Sequence, residues 1–155
     1  MNQDNFNRDK SVPLYDPILV APTVNFTSTK KVDTQGFESC TVKVYSGLAG
    51  DTHDASNNIY FELWECDTSG GTYTKVSDDD VFSDDDPDAV NKFGLLDDDA
   101  TDEGIIRALG YKGTKRFLEL RGVVTGTLTN GVVLAAWANL SHARIQTAGA
   151  LAQSS

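Results

Sequence analysis

Apolar and polar side chains alternate with a period of two through most of this chain, the spacing of half-buried β-strands. Residues 39–46 set Cys40, Val42 and Val44 on one face and Thr41, Lys43 and Tyr45 on the other. In residues 58–66, Ile59, Phe61 and Leu63 share a face opposed by Tyr60, Glu62, Trp64 and Cys66. Residues 132–140 repeat the pattern, with Val132, Leu134, Ala136, Ala138 and Leu140 set against Val133, Ala135, Trp137 and Asn139. Residues 115–124 form a denser apolar run with Phe117, Leu118, Leu120, Val123 and Val124, and shorter β-prone runs lie at 18–20, 24–27 and 72–76.

Turn chemistry separates these runs. Thr34-Gln35-Gly36 is a turn signal, residues 47–58 are rich in Gly, Asp, Ser and Asn, and residues 67–71 end on Gly70-Gly71, as a hairpin loop joining 58–66 to 72–76 should. Asn130-Gly131 predicts a second hairpin, between 115–124 and 132–140, with a wide loop. Residues 104–110 fit a turn of helix or a short strand equally well. No amphipathic helix longer than two turns is predicted, so the fold class is all-β: a compact sandwich or barrel, with a jelly roll among the options. A length of 155 residues suits one domain. It is expected over 18–145, between an extended N-terminal arm at 1–17, which carries Pro13 and Pro17, and a small-residue tail at 146–155.

Charge changes this picture in one place. Residues 78–103 hold eleven aspartates and one glutamate against a single lysine, Lys92. That local balance of −11 within a chain of net charge −10 leaves the remainder at +1. So charged a stretch repels itself, and it is expected to be a long solvated excursion, with residues 89–96 its only apolar island. A pI near 4.4 speaks against non-specific nucleic-acid binding and against docking on an anionic membrane. No run approaches the ~20 apolar residues of a spanning helix. The polar first ten residues do not resemble a secretory signal, so synthesis in a cytoplasm is expected.

Candidate chemistry is sparse. An EF-hand loop read from Asp84 places Ala89 where glycine belongs and Leu95 where the bidentate glutamate belongs, so the motif fails, and no metal ligand is assigned. Cys40, Cys66, His53 and His142 are scattered singly and lack the paired spacing of a zinc site; the two cysteines are expected as buried free thiols. Ser141 and His142 are neighbours that a strand would point to opposite faces, and no nucleophile elbow, Walker loop or dinucleotide fingerprint is present. Paired carboxylates on a solvated loop lack the rigid cleft that general acid–base work needs. These observations predict no catalytic residues and no cofactor.

The cations are more informative. Tyr111, Lys112, Lys115 and Arg116 cluster around Gly113, and Arg121 follows on the next strand. They form a candidate partner interface for acidic groups, against the alternative that they are charges guarding a strand edge from aggregation.

Three strings carry a family likeness: Val32-Asp33-Thr34-Gln35-Gly36-Phe37-Glu38-Ser39, then Phe61-Glu62-Leu63-Trp64-Glu65-Cys66-Asp67 with its Gly-Gly turn and Tyr73-Thr74-Lys75-Val76, and finally Gly110-Tyr111-Lys112-Gly113-Thr114-Lys115-Arg116-Phe117-Leu118. Together they resemble small structural proteins of tailed bacteriophages encoded near the major capsid protein, some of which are head decoration, or cement, proteins. The likeness spans residues 17–140. It implies a non-enzymatic virion protein on the outer surface of the phage head, bridging neighbouring major capsid subunits, as a homo-oligomer (trimer or dimer) at capsid symmetry axes. Nucleic acid and membrane are not expected as partners. Two alternatives stand beside it. One is a head–tail connector or minor tail component. The other is a Ca²⁺- or carbohydrate-binding β-sandwich with Trp64, Tyr60 or Trp137 as a stacking platform.

Overall fold

A computed structural model describes residues 9–83, 91–98 and 102–142. Its strands, in chain order, are β1 (Lys10–Val20), β2 (Phe26–Thr27), β3 (Val32–Asp33), β4 (Ser39–Ala49), β5 (Asn58–Cys66), β6 (Thr74–Lys75), β7 (Val81–Ser83), β8 (Phe93–Leu96), β9 (Ile105–Tyr111), β10 (Phe117–Thr125) and β11 (Val132–Ser141). A five-stranded sheet runs β1-β11-β4-β9-β7. The second sheet runs β2-β10-β5-β6, with β3 also on the edge of β10 and β8 also on the edge of β5. Each of these pairings is antiparallel. The two sheets pack face to face as an all-β sandwich.

The alternation places the core as the sequence implies. Cys40, Val42 and Val44 from β4 and Leu134, Ala136, Ala138 and Leu140 from β11 face Ile59, Phe61 and Leu63 from β5 and Leu118 and Leu120 from β10. Each fully buried large apolar side chain contributes roughly 1.5–3 kcal/mol relative to exposure. A row of rings, Tyr15–Phe26–Phe61–Phe93, crosses this interior with successive centroids 5.6, 6.2 and 6.2 Å apart. Gly122, in mid-strand on β10, is part of that row's geometry: a Cβ there would stand 2.2 Å from the Phe26 ring. The Tyr15 hydroxyl donates to the Leu120 carbonyl at 3.1 Å, tying β1 across to the other sheet.

Four expectations need correction or resolution. The N-terminal arm ends sooner than residue 17: β1 begins at Lys10, pairs with β11, and buries Leu14 and Tyr15. The acidic stretch is not a solvated excursion throughout. Its described residues give β7 to the first sheet and β8 to the second, and Asn91, Phe93, Leu96 and Asp102 are buried. Its apolar island supplies the burial that its average charge concealed. Of residues 104–110, Gly104 is a turn residue and 105–110 are strand, within β9.

The expected hairpin between 115–124 and 132–140 does not form, because β10 pairs with β5 and β11 lies between β1 and β4. Asn130-Gly131 instead makes the crossing from one sheet to the other. Gly131 takes φ +76°, and the Asp51 carboxylate accepts from the Asn130 and Gly131 N–H groups at 2.8 and 2.7 Å. By contrast, the 58–66/72–76 hairpin forms as expected, with Trp64 opposite Lys75.

Candidate functional site

Tyr111, Lys112, Lys115 and Arg116 converge on one end of the sandwich. They line a groove of about 720 Å³ whose walls are residues 34–41 and 110–116, with Phe82 at its rim. Tyr111 closes β9 with its ring turned inward. Its hydroxyl donates to Glu65 Oε2 at 2.7 Å and accepts from the Lys115 N–H at 2.9 Å. Burial pushes this phenol well above its ordinary value, and the hydrogen bond to Glu65 adds to the rise. Lys115 Nζ sits 2.7 Å from Asp67, while Arg116 grips Asp33 with two hydrogen bonds of 2.9 and 2.7 Å. The Lys112 ammonium lies 4.2 Å from the centroid of the exposed Phe82 ring.

The sequence suggested a local positive spot; in the structure Lys115 and Arg116 each face a carboxylate. Residues 32–39, 61–76 and 110–118 meet here, since Asp33, Glu65 and Asp67 from the first two segments hold Arg116, Tyr111 and Lys115 from the third. Asp33 is held below the usual carboxylate range chiefly by the Arg116 hydrogen bonds.

Arg121 stands apart from the other four. Its guanidinium lies 3.6 Å from the centroid of the Trp64 indole and bonds to Glu119, its neighbour two positions back on β10. This pair belongs to a ladder over the outer face of the second sheet. Glu62 accepts from Lys75 at 2.7 Å and from the Trp64 indole N–H at 3.1 Å. The Lys31 ammonium lies 3.9 Å from Glu119 and 4.2 Å from the centroid of the Tyr73 ring. Glu62 and Glu119 are 9% and 4% exposed, so both carboxylates are buried beneath their partners. The sequence offered the alternations Glu62-x-Trp64 and Glu119-x-Arg121, but only the register Glu119↔Trp64 and Arg121↔Glu62 makes a network of them.

The outer face of the five-stranded sheet is different in kind. On its three central strands, β11, β4 and β9, the outward residues are Val133, Ala135, Trp137 and Asn139, then Thr41, Lys43 and Tyr45, then Ile106 and Ala108. Leu19, 64% exposed, extends the apolar band across β1 opposite Val133, and Ile106 is 54% exposed. Trp137 lies opposite Lys43 and Tyr45 opposite Ala135, which makes the two aromatics diagonal neighbours. Lys43 is the single charged side chain on these central outward positions. This face was visible in the sequence as the polar-side register of three strands, yet its apolar character emerges only when they lie side by side.

Of the stacking residues considered from sequence, Trp64 carries Arg121 over its ring and Tyr60 carries the Lys92 ammonium at 4.7 Å; Trp137 is on the open face. Both cysteines are free, Cys40 buried and Cys66 half-buried, and burial pushes the Cys40 thiol up to about 12. Among the described residues no group of three or more His, Cys, Asp or Glu could hold a metal ion, and no helix is long and apolar enough to cross a membrane.

No family model matches the chain, and no curated protein matches it. Among solved structures, it overlaps the N-terminal endo-1,4-beta-D-xylanase 10B of Clostridium thermocellum, comprising CBM22-1 and GH10 modules complexed with xylohexaose. The overlap has a TM-score of 0.41 at 13% identity and covers 93% of this chain but 28% of that one.

Proposed function

We propose that this protein is a non-catalytic virion component that decorates a tailed-phage head and stabilises it by bridging neighbouring major capsid subunits. The observation that carries the adhesive reading is the contrast between the two outer faces of the sandwich. Among the described residues, one is covered by its own ion pairs and stacked rings, while the other is mainly apolar and carries no ion pair on its central strands. Exposed apolar area of this continuity is a feature of docking surfaces more than of free monomers. The family likeness of the strings around the groove supplies the virion assignment. A homo-oligomer at capsid symmetry axes fits the same reading, because repeated modest contacts multiply into firm attachment.

The test is to add purified protein to expanded heads that lack it and follow DNA release on heating. Decoration raises the release temperature. An unchanged release temperature with the protein fully bound, or no binding at all, removes the proposal.

A second reading, a carbohydrate-binding sandwich, is favoured by one feature: Trp137 and Tyr45 form a two-aromatic platform on the open face. Titration against a glycan panel decides it, since tight stoichiometric binding lost in Trp137→Ala would replace the virion assignment.

A further inference from the structure

We infer that the outer face of the five-stranded sheet, centred on Lys43, Tyr45 and Trp137, is the surface that docks, and that its occupant is a flat apolar surface of a different protein carrying a carboxylate opposite Lys43. The inference rests on the decoration reading and assigns the face and its chemistry.

Size is the first argument. The five strands hold 11, 10, 11, 7 and 3 residues, and at about 4.8 Å spacing and about 3.3 Å rise they span roughly 660 Å². That approaches the ~800 Å² that each partner gives to a standard stable interface.

Charge is the second argument. Trp137 and Ala108 lie opposite Lys43 on its two neighbouring strands and Ala135 and Ile106 lie diagonal to it, and no outward position on β4, β9 or β11 holds an acid. Among the described residues Lys43 makes no ion pair. A partner that covers it must supply the counter-charge, because an ammonium enclosed among apolar groups without one is costly. A second copy packed symmetrically, face to face, offers another Lys43 and no carboxylate from its central strands, and in any arrangement it brings a further net charge of −10 toward the first. A nucleic acid or an anionic membrane would meet a single cation on a strongly acidic protein. An apolar protein surface bearing an acid satisfies each of these conditions.

The opposite sheet face is a poor competitor. Its ammonium and guanidinium groups already lie on Glu62, Glu119, Trp64 and Tyr73, and a partner there would have to break those contacts.

The experiment compares wild type, Lys43→Glu, Ile106→Asp and the control Val24→Asp. Val24 is an exposed apolar residue on the loop between β1 and β2, outside the face. Native folding of each is confirmed by near-UV circular dichroism and urea midpoint, and binding is measured on heads lacking this protein. Wild type and Val24→Asp should bind within about twofold of each other, while Lys43→Glu and Ile106→Asp should each lose roughly tenfold or more, the scale for a buried apolar contact or charge pair at an interface. All four should share one sedimentation coefficient. If wild type binds and both face variants bind equally well, the face assignment fails and the decoration reading stands. A shift of Ile106→Asp to a smaller oligomer makes the second copy the occupant and overturns the inference. Failure of wild type to bind sinks the decoration reading and this inference with it. Lys43→Glu, a change at a half-buried polar position, carries the comparison should Ile106→Asp fold poorly.

Discussion

The carboxamide of Asn91 stands in for a strand peptide beside Leu63. Its Oδ1 accepts from the Leu63 N–H at 2.8 Å, and its Nδ2 donates to the Leu63 and Val76 carbonyls at 3.0 and 2.7 Å. This completes the edge of β5 between β6 and β8, where the Leu63 carbonyl also accepts from the Val76 N–H at 3.0 Å and the Leu63 N–H is met by the carboxamide. Asn91 is 1% exposed, and its own N–H is held by the Asp78 carboxylate at 3.1 Å. One polar side chain thus fastens the acidic stretch to the core.

Replacing Asn91 with alanine leaves the buried Leu63 N–H without an acceptor. A loss of about 2–3 kcal/mol of unfolding free energy is expected, the scale of a stranded buried donor together with its partner bonds. Asn91→Asp should cost at least as much, because a carboxylate cannot donate to the two carbonyls. Urea denaturation reads both; a change below about 0.5 kcal/mol, the size of an ordinary surface substitution, contradicts this role.

Gly131 should not tolerate a side chain. Its φ is +76°, and a Cβ would stand 2.4 Å from the Val20 carbonyl oxygen. Gly131→Ala should lower stability by more than about 1 kcal/mol through left-handed strain plus the clash. A thermal midpoint equal to wild type is the opposing result.

The Asp33–Arg116 pair gives acid sensitivity a sign. The folded protein holds Asp33 below its ordinary value, chiefly through the Arg116 hydrogen bonds, with burial opposing in part. Its contribution is therefore fully present above the unfolded carboxylate value near pH 4 and is lost as pH falls through the lower folded value. Asp33→Asn should be less stable than wild type at neutral pH, and the gap should close on acidification below about pH 4. A gap that is constant from pH 7 to pH 2 excludes the pair as its source.

Thiol labelling should separate the two cysteines. Cys40 is buried and its thiol is pushed up to about 12, whereas Cys66 is half-buried. Near pH 8 the thiolate is the reacting form, so native protein should label at Cys66 and take up the second equivalent only on unfolding. Rapid native labelling of Cys40 would show that the β4 face is not packed as described.

The strands were legible because strict alternation fixes which face each residue takes: Cys40, Val42, Val44 and Ile59, Phe61, Leu63 are core where the period of two places them. The pairing of β11 with β1 and β4 was not legible, since Asn130-Gly131 suits a tight reversal and a crossing alike, and the Asp51 clamp comes from 79 residues away. Average charge hid the packed parts of 78–103, because Asn91 and Phe93 are few among many aspartates. Four of the five candidate interface residues converge, as their closeness in sequence implied; Arg121 diverges because it faces outward on β10 toward Trp64. The open apolar face escaped because no single strand carries it.

The central claim is that this protein acts by adhering to a capsid lattice. It is tested most directly by saturating decoration-free heads with purified chain and counting copies per particle by quantitative gel densitometry. Lattice decoration gives saturation on the order of hundreds of copies, set by capsid symmetry. Saturation at about a dozen or fewer, the count of a single axial ring, or no uptake at all, contradicts it.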